Sequence, residues 1–408
     1  MASGDRVACT YGGRTRKGIY ITARDGMAVV KLDSGYNIGV DPVSCTFSGH
    51  PAETPAKKPH VQQKNDLPAL SIVSTGGTIA SRIDYRTGSV TSQFDAADIL
   101  TAIPELGKVA NYHTIPLATI LSENMTPRIW QDLARAVYEE IARGVAGVIV
   151  THGTDTMAYS AAAISFMIDS PVPIVFVGSQ RSADRPSSDN AMNAVCAARA
   201  ATSDLGEVVV VMHATTSDDT CSIHRGTRVR KMHSSRRDAF RSIGIDPIGS
   251  VAYPSGEVSL SRDAVRRGCR KPGIHDRLEE HCGLLQFYPG MSPDLLEAYE
   301  GYKGLVLAGT GLGHVSTSLI PSLHRLIDGG TLVVMTTQCM QGRVCDRVYD
   351  TGRDLLAAGV IEGGDMLPEV ALVKMMWVLG NEQDPKRAGC LMQEDLKGEC
   401  NRRSTHGL

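Results

Sequence analysis

The chain has 408 residues, with 42 Lys and Arg against 44 Asp and Glu, for a formal charge of −2 at pH 7. At roughly 100–200 residues per domain it is long enough for two or three domains and a sizeable core. Apolar residues at 42% and charged residues at 21% exclude a globally disordered chain. The near-zero charge excludes a protein that holds nucleic acid mainly through bulk positive charge, so any RNA contact has to be local. Glycine supplies 41 of the 408 residues, against about 7% on average, which predicts many tight turns and close backbone approaches.

The start, Met-Ala-Ser-Gly-Asp-Arg, has neither a basic segment before an apolar core nor a small-residue cleavage pattern. No apolar run approaches the roughly 18–20 residues that span a bilayer. The expectation is a cytoplasmic protein with no membrane contact. The ten cysteines (Cys9, Cys45, Cys196, Cys221, Cys269, Cys282, Cys339, Cys345, Cys390 and Cys400) stand singly, without a CxxC pair. Zinc-ligand and redox spacing are therefore not met, and reduced thiols are expected. The twelve histidines form no HxxxH or HExxH pair, so no metal site is expected.

Residues 1–48 read as small β structure. Short runs at Arg6–Tyr11, Gly18–Thr22, Met27–Leu32 and Tyr36–Val40 are separated by turn signals at Gly12-Gly13, Asp25-Gly26 and Ser34-Gly35. Some 45 residues can close only a small barrel, marginally stable alone. Residues 49–67, rich in Pro, Lys and Gln, read as a linker. From Pro68 onward short β-branched runs stop at Gly or Thr clusters: Ala69–Ser74, Val145–Thr151, Pro173–Val177 and Glu207–His213, then Gly283–Tyr288, Gly304–Ala308 and Thr331–Thr336. They alternate with amphipathic stretches such as Pro127–Ala142, a pattern that predicts parallel sheets covered by helices. A polar, basic segment at about 256–282 marks the seam between a larger α/β domain, 68–275, and a smaller one, 276–408.

The first of these runs leads into Ser74-Thr-Gly-Gly-Thr-Ile-Ala80. Paired glycines permit a sharp turn at a strand's carboxyl end, where open α/β sheets bind ligands. No GxxxxGK[ST] pattern is present, so ATP is not expected at this turn. Thr78 is either a helix-capping hydroxyl or a nucleophile near backbone N–H donors. A second run ends in Thr151-His-Gly-Thr-Asp-Thr-Met157. Thr154 and Asp155 can cap a helix or orient a base or a substrate ammonium. The third segment, Arg225 to Phe240, carries Arg225, Arg228, Arg230, Lys231, Arg236 and Arg237 against one acid. It is a solvated face, an RNA-touching patch, or the source of one lysine turned inward as a proton carrier. Gly309-Thr-Gly-Leu-Gly-His314 begins like a dinucleotide fingerprint, but His314 takes the third glycine position, which favours a tight structural turn.

Together these segments resemble the two-domain asparaginase/glutaminase amidohydrolases that use a threonine nucleophile. The likeness runs from Pro68 to about Gly380 through TGGTIAS, THGTDTM, IVFVGSQR (174–181), RVRKMHSSRRDAF, LLQFYPGM (284–291) and GLVLAGTGLGHV (304–315). It implies an asparaginase-like α/β parallel-sheet core of two domains, with the larger one catalytic. It implies Thr78 as nucleophile, a second set of Thr154, Asp155 and Lys231, and backbone N–H groups around the oxyanion. Tyr85 would close over the site and contact the first hydroxyl. Ser122 would bind the substrate α-carboxylate, and Glu123, where free asparaginases commonly carry Gln, could contact the α-ammonium. A threonine hydroxyl needs a base in reach, and either Tyr85 or the Lys231–Thr154 pair could supply it. Gln and Asn both remain candidate amide donors.

The β module and its linker are not features of free asparaginases. They resemble the leading, SH3-like barrel of the GatD family of archaeal glutamyl-tRNA(Gln) amidotransferases, as do Val348–Leu356 and Asp365–Leu379. That resemblance implies a glutaminase that supplies ammonia inside a complex. A GatE-type partner would hold Glu-tRNA(Gln) and use ATP and Mg²⁺, with no cofactor in this chain. An α2β2 assembly and a homodimer through the asparaginase core are implied. The competing readings are a free-standing L-asparaginase/glutaminase and a non-enzymatic scaffold that holds RNA.

Overall fold

The structure is a computed structural model that describes residues 1–34, 36–49, 65–76, 81–83, 90–92, 103–182 and 187–403. Most of the predicted linker and Gly35 of the third predicted turn lie outside these residues. Strands β1 (Arg6–Tyr11), β2 (Arg14–Arg24), β3 (Met27–Leu32), β4 (Asn37–Val40) and β5 (Cys45–Gly49) form one antiparallel sheet in the order β4-β3-β2-β1-β5. Its turns fall at Gly12-Gly13 and Asp25-Gly26, as the sequence predicts. Val7, Cys9, Ala28, Val30, Leu32 and Val40 form its small buried core. The fifth strand was not foreseen, because Cys-Thr-Phe-Ser-Gly lacks a buried alternation of its own.

The larger sheet contains β6 (Ala69–Gly76), β9 (Asn111–Ile120), β10 (Gly147–Thr151), β12 (Ile174–Val177), β13 (Val208–His213), β14 (Thr220–Arg225), β17 (Gly249–Ala252) and β18 (Val258–Leu260). Its order is β18-β17-β14-β13-β12-β10-β6-β9. The stretch β9 to β13 is parallel and β14, β17 and β18 extend it antiparallel. Two-residue and three-residue pairs complete this part: β7 (Ser81–Ile83) with β8 (Val90–Ser92), β11 (Ile168–Asp169) with β19 (Gly273–Ile274), and β15 (Val229–Lys231) with β16 (Phe240–Ser242). The smaller sheet is parallel throughout, β20 (Cys282–Gln286), β21 (Gly304–Gly309), β22 (Leu332–Thr337) and β23 (Ile361–Glu362). The fully buried strands β10, β12, β13 and β21 are the near-continuous apolar runs expected of parallel sheets covered on both faces.

Helix α1 occupies the predicted Pro127–Ala142, with Thr126 accepting a capping bond from Ile129 N and Pro127 at the first position, where its missing N–H costs nothing. Further helices are α2 (Met157–Met167), α3 (Asn190–Ala201), α4 (Asp294–Glu297), α5 (Ile320–Asp328), α6 (Asp350–Ala357), α7 (Pro368–Asn381) and α8 (Pro385–Gln393). One hydrophobic core runs through α1, α2, α7 and both larger sheets, including Val150, Phe166, Val306, Val334 and Met375. Residues 394–401 close over that junction. Lys374 Nζ pairs with Glu399 at 2.6 Å with both side chains fully buried, Lys397 Nζ pairs with Asp169 at 2.6 Å, and Arg228 Nε donates to Gly398 O at 3.0 Å. Among the described residues no helix is long and apolar enough to cross a membrane.

Candidate active site

The register Ser74↔Thr151 brings the carboxyl ends of β6 and β10 to one edge of the sheet. Thr75 Oγ1 donates to Thr151 O at 3.0 Å and ties the two ends together. Gly76 has φ +105° and passes so near β9 that a Cβ would lie 2.5 Å from Ile120 O, so glycine alone fits there. Thr78 and Tyr85 lie outside the described residues.

Past β10, His152-Gly153-Thr154-Asp155-Thr156 turns into α2. A Cβ on Gly153 would stand 2.6 Å from Ser122 Cβ and 2.9 Å from its Oγ, so Ser122 backs directly onto the turn. Thr156 Oγ1 donates to Ser122 O at 2.7 Å and fixes that approach. Ser122 is buried in a short 3₁₀ turn, Ser122–Asn124, and its neighbour Glu123 is exposed. His152 is fully buried, with Nδ1 2.7 Å from Gly153 O; a carbonyl only accepts, so Nδ1 carries the hydrogen. Burial lowers its pKa to about 4, which keeps the ring neutral at pH 7.

Lys231 arrives from the β15–β16 hairpin, where it pairs with Phe240. Its Nζ lies 2.9 Å from Thr154 Oγ1 and 2.8 Å from Asp155 Oδ1. Lys231 and Thr154 are largely covered, while the Asp155 carboxylate faces outward at 69% exposure. An ammonium has three donors, and two are engaged here. The Thr154 hydroxyl accepts from it and keeps its own hydrogen to give. The structure thus brings Thr154, Asp155 and Lys231 together, with Ser122 one turn away.

The arginines of the basic segment are each paired with an acid inside the chain. Arg225 pairs with Glu207 at 2.7 Å, Arg228 with Asp365 at 3.1 Å, Arg230 with Glu369 at 3.4 Å, Arg236 with Asp238 at 2.7 Å, and Arg237 with Asp218. Four of these five acids stand outside the segment, so its local charge excess is a poor guide. The Gly309–His314 turn closes on itself, with Thr310 N donating to His314 O at 2.9 Å. This is the tight structural turn favoured over a dinucleotide loop. Among the described residues no group of three or more His, Cys, Asp or Glu is gathered as a metal site.

A two-domain α/β core with this Thr–Asp–Lys set at the strand ends is the architecture of the asparaginase/glutaminase class. The family "Asparaginase, N-terminal" matches residues 69–266 and "Glutaminase/Asparaginase C-terminal domain" matches 281–392. The L-asparaginase structure from Thermococcus kodakarensis is 33% identical with a TM-score of 0.74, over 82% of this chain and all of that one. L-asparaginase I from Vibrio cholerae is 27% identical with a TM-score of 0.71, over 82% and 99%. The amino-terminal sheet distinguishes this chain from them: residues 1–46 match "GatD N-terminal domain". The GatD subunit of the glutamyl-tRNA(Gln) amidotransferase from Methanosarcina mazei is 55% identical over 98% of both chains. That of Archaeoglobus fulgidus is 54% identical over 93% of this chain and 90% of its own. The chain belongs to the GatD family of glutamyl-tRNA(Gln) amidotransferase subunits.

Proposed function

We propose that the chain is the glutaminase subunit of a tRNA-dependent amidotransferase, releasing ammonia that converts Glu-tRNA(Gln) to Gln-tRNA(Gln). The observation that carries the reading is the Lys231–Thr154–Asp155 constellation, held in a chain similar end to end to proteins named as that subunit. In this reading the Thr78 hydroxyl attacks the side-chain amide carbon of glutamine. The C–N bond breaks, the amine takes a proton and leaves as ammonia, and an ester to Thr78 remains. Water then cleaves the ester to give glutamate and restore the hydroxyl. Lys231 and Thr154 would move the protons, Asp155 would fix Lys231, Ser122 would hold the α-carboxylate, and Tyr85 and Glu123 would complete the enclosure. A GatE-type partner would bind Glu-tRNA(Gln), activate its glutamyl carboxyl with ATP and Mg²⁺, and take up the ammonia. This chain would need no cofactor and would form the homodimeric centre of an α2β2 assembly in the cytoplasm.

The test is Thr78→Ala in the reconstituted complex. Glutamine-dependent amidation of Glu-tRNA(Gln) is expected to vanish while amidation with added ammonium salt persists. Glutamine-dependent amidation by Thr78→Ala would sink the reading. Rapid asparagine hydrolysis by the isolated chain, indifferent to partner and tRNA, would instead favour a free-standing L-asparaginase, the activity named for the solved neighbours.

A further inference from the structure

A hydrogen-bonded chain, exposed at one end and buried at the other, connects two loops and ends on either side of the Thr154–Lys231 bond. It starts at Arg237, in the loop of the β15–β16 hairpin, whose guanidinium donates to Asp218 Oδ1 and Thr216 O. Asp218 Oδ1 lies 3.2 Å from His213 Nε2, and His213 Nδ1 lies 2.6 Å from Asn193 Oδ1. Asn193 Nδ2 donates onward to Gly178 O at 3.1 Å and Asp189 Oδ2 at 2.9 Å. His213, Asn193 and Asp189 are buried.

Hydrogen-bond capacity orients every link. Both partners of Asn193 Nδ2 can only accept, so its oxygen is the atom that faces His213. The Asp218 carboxylate accepts as well. His213 therefore meets an oxygen at each ring nitrogen, Asn193 Oδ1 on one side and Asp218 Oδ1 on the other. Asp218 then sits between two donors, His213 and Arg237. Burial works against its charge, but the His213 bond and the Arg237 charge outweigh it and lower its pKa. Asp189 behind Asn193, Asp219 on the same loop, Tyr253, and the thiols of Cys196 and Cys221 are further titratable groups near this cluster.

The two ends of the chain bear on one bond. A Cβ on Gly178 would lie 2.8 Å from Thr154 Cγ2, so the Gly178 backbone is the wall behind Thr154. At the other end, Arg237 anchors the loop that joins Lys231 to its strand partner Phe240. Residues 232–236 of that loop are exposed. Arg236 and Arg241 on Asp238, Met232 N on Ala239 O and the turn on His233 Nδ1 hold it within the hairpin, and Arg237 on Asp218 ties it to the neighbouring loop.

We propose that Arg237, Asp218 and His213 are positioning residues that hold the Lys231 hairpin in register with the Thr154 wall. The proposal rests on the reading of Lys231 and Thr154 as parts of a glutaminase site. It is tested in the full chain, with its partner subunit where turnover requires it, by measuring ammonia release from glutamine and the thermal midpoint. Arg237→Gln and Asp218→Asn are expected to lower kcat about 5–50-fold, with KM within about twofold and the midpoint nearly unchanged. His213→Gln, which cannot reach both Asn193 and Asp218 from a ring's two edges, falls in kcat with them. Arg237→Lys keeps a charge on Asp218 and recovers most of kcat. Variants that melt earlier while the folded enzyme keeps wild-type kcat and KM would overturn the proposal, as would Arg237→Lys falling as far as Arg237→Gln. Lys231→Ala is the reference. If it is inactive while Arg237→Gln and Asp218→Asn match wild type, the positioning role alone fails; if it turns over normally, the reading of the site fails first.

Discussion

The turns after β10 and after β21 leave their sheets in the same manner, from a fully buried parallel strand into a glycine-bearing segment. After β10 the turn is open to other elements: Lys231 reaches it from a hairpin, Ser122 from a 3₁₀ turn, and Gly178 from the neighbouring strand. After β21 the turn folds onto itself through Thr310 and His314, and Gly313 is hemmed by Val344, Met335 and Asp346. The charges differ too. Lys231 and Asp155 are paired, whereas the Asp346 carboxylate is buried with neither oxygen hydrogen-bonded. A buried strand that runs into a glycine-bearing turn marks a place where chemistry can be built. The side chains that arrive from elsewhere decide whether it is.

The largest test of that contrast is to remove the arriving group. Lys231→Ala or Thr154→Ala is expected to cut glutaminase kcat by about 10³-fold or more, the scale of losing a proton-transfer group. Gly313→Ala probes the closed turn. With φ +106° and a Cβ site 2.7 Å from Val344 Cγ1, it is expected to cost about 2–4 kcal/mol in denaturant unfolding while kcat stays at the wild-type value. A loss of turnover in this variant that outlasts refolding would show that the second turn also serves catalysis.

Asp346→Asn comes next. Burial and the nearby Glu362 raise the pKa of this carboxyl to about 7, so the folded chain keeps a proton that the unfolded chain gives up near pH 4. Wild type therefore loses stability as pH rises from about 4 to 7, and the loss is complete above that. Asparagine cannot ionise, so the variant is expected to gain about 1–3 kcal/mol over wild type at pH 8 and little at pH 4, as read from paired urea melts. The smallest effect is expected of Gly153→Ala, which pushes on Ser122 and should raise KM for glutamine about 5–20-fold with kcat less affected. An unchanged KM would remove Ser122 from the substrate site.

Much of this arrangement was legible in the sequence because it rests on local rules. The buried strands are apolar runs that end at turn residues, and α1 carries its cap and its proline. The edge strand β9 was missed: Asn-Tyr-His-Thr-Ile-Pro-Leu-Ala-Thr-Ile is half-exposed and contains a proline, which an edge position tolerates. The antiparallel extension β14-β17-β18 was missed because its short strands lie in polar sequence. Thr154, Asp155 and Lys231 could be proposed from motif order, but their union depends on a contact 77 residues apart. The basic segment shows the limit most plainly. Its neutralising acids Glu207, Asp218, Asp365 and Glu369 lie where only folding reveals them. The Asn193–His213–Asp218–Arg237 chain spans four elements and leaves no local signal.

The closing segment 394–401 also bears on how the molecule comes apart. Lys374–Glu399 is buried within the junction of the two larger sheets, and Lys397–Asp169 and Arg228–Gly398 join residues 228 and 170 positions apart. The two sheets cannot part without separating Arg228 from Asp365, a pair at 3.1 Å with both side chains buried, a change that costs several kcal/mol. The two sheets are therefore expected to melt as one cooperative unit, with equal calorimetric and van't Hoff enthalpies for the core transition. A chain cut after Gln393 is expected to melt in two steps.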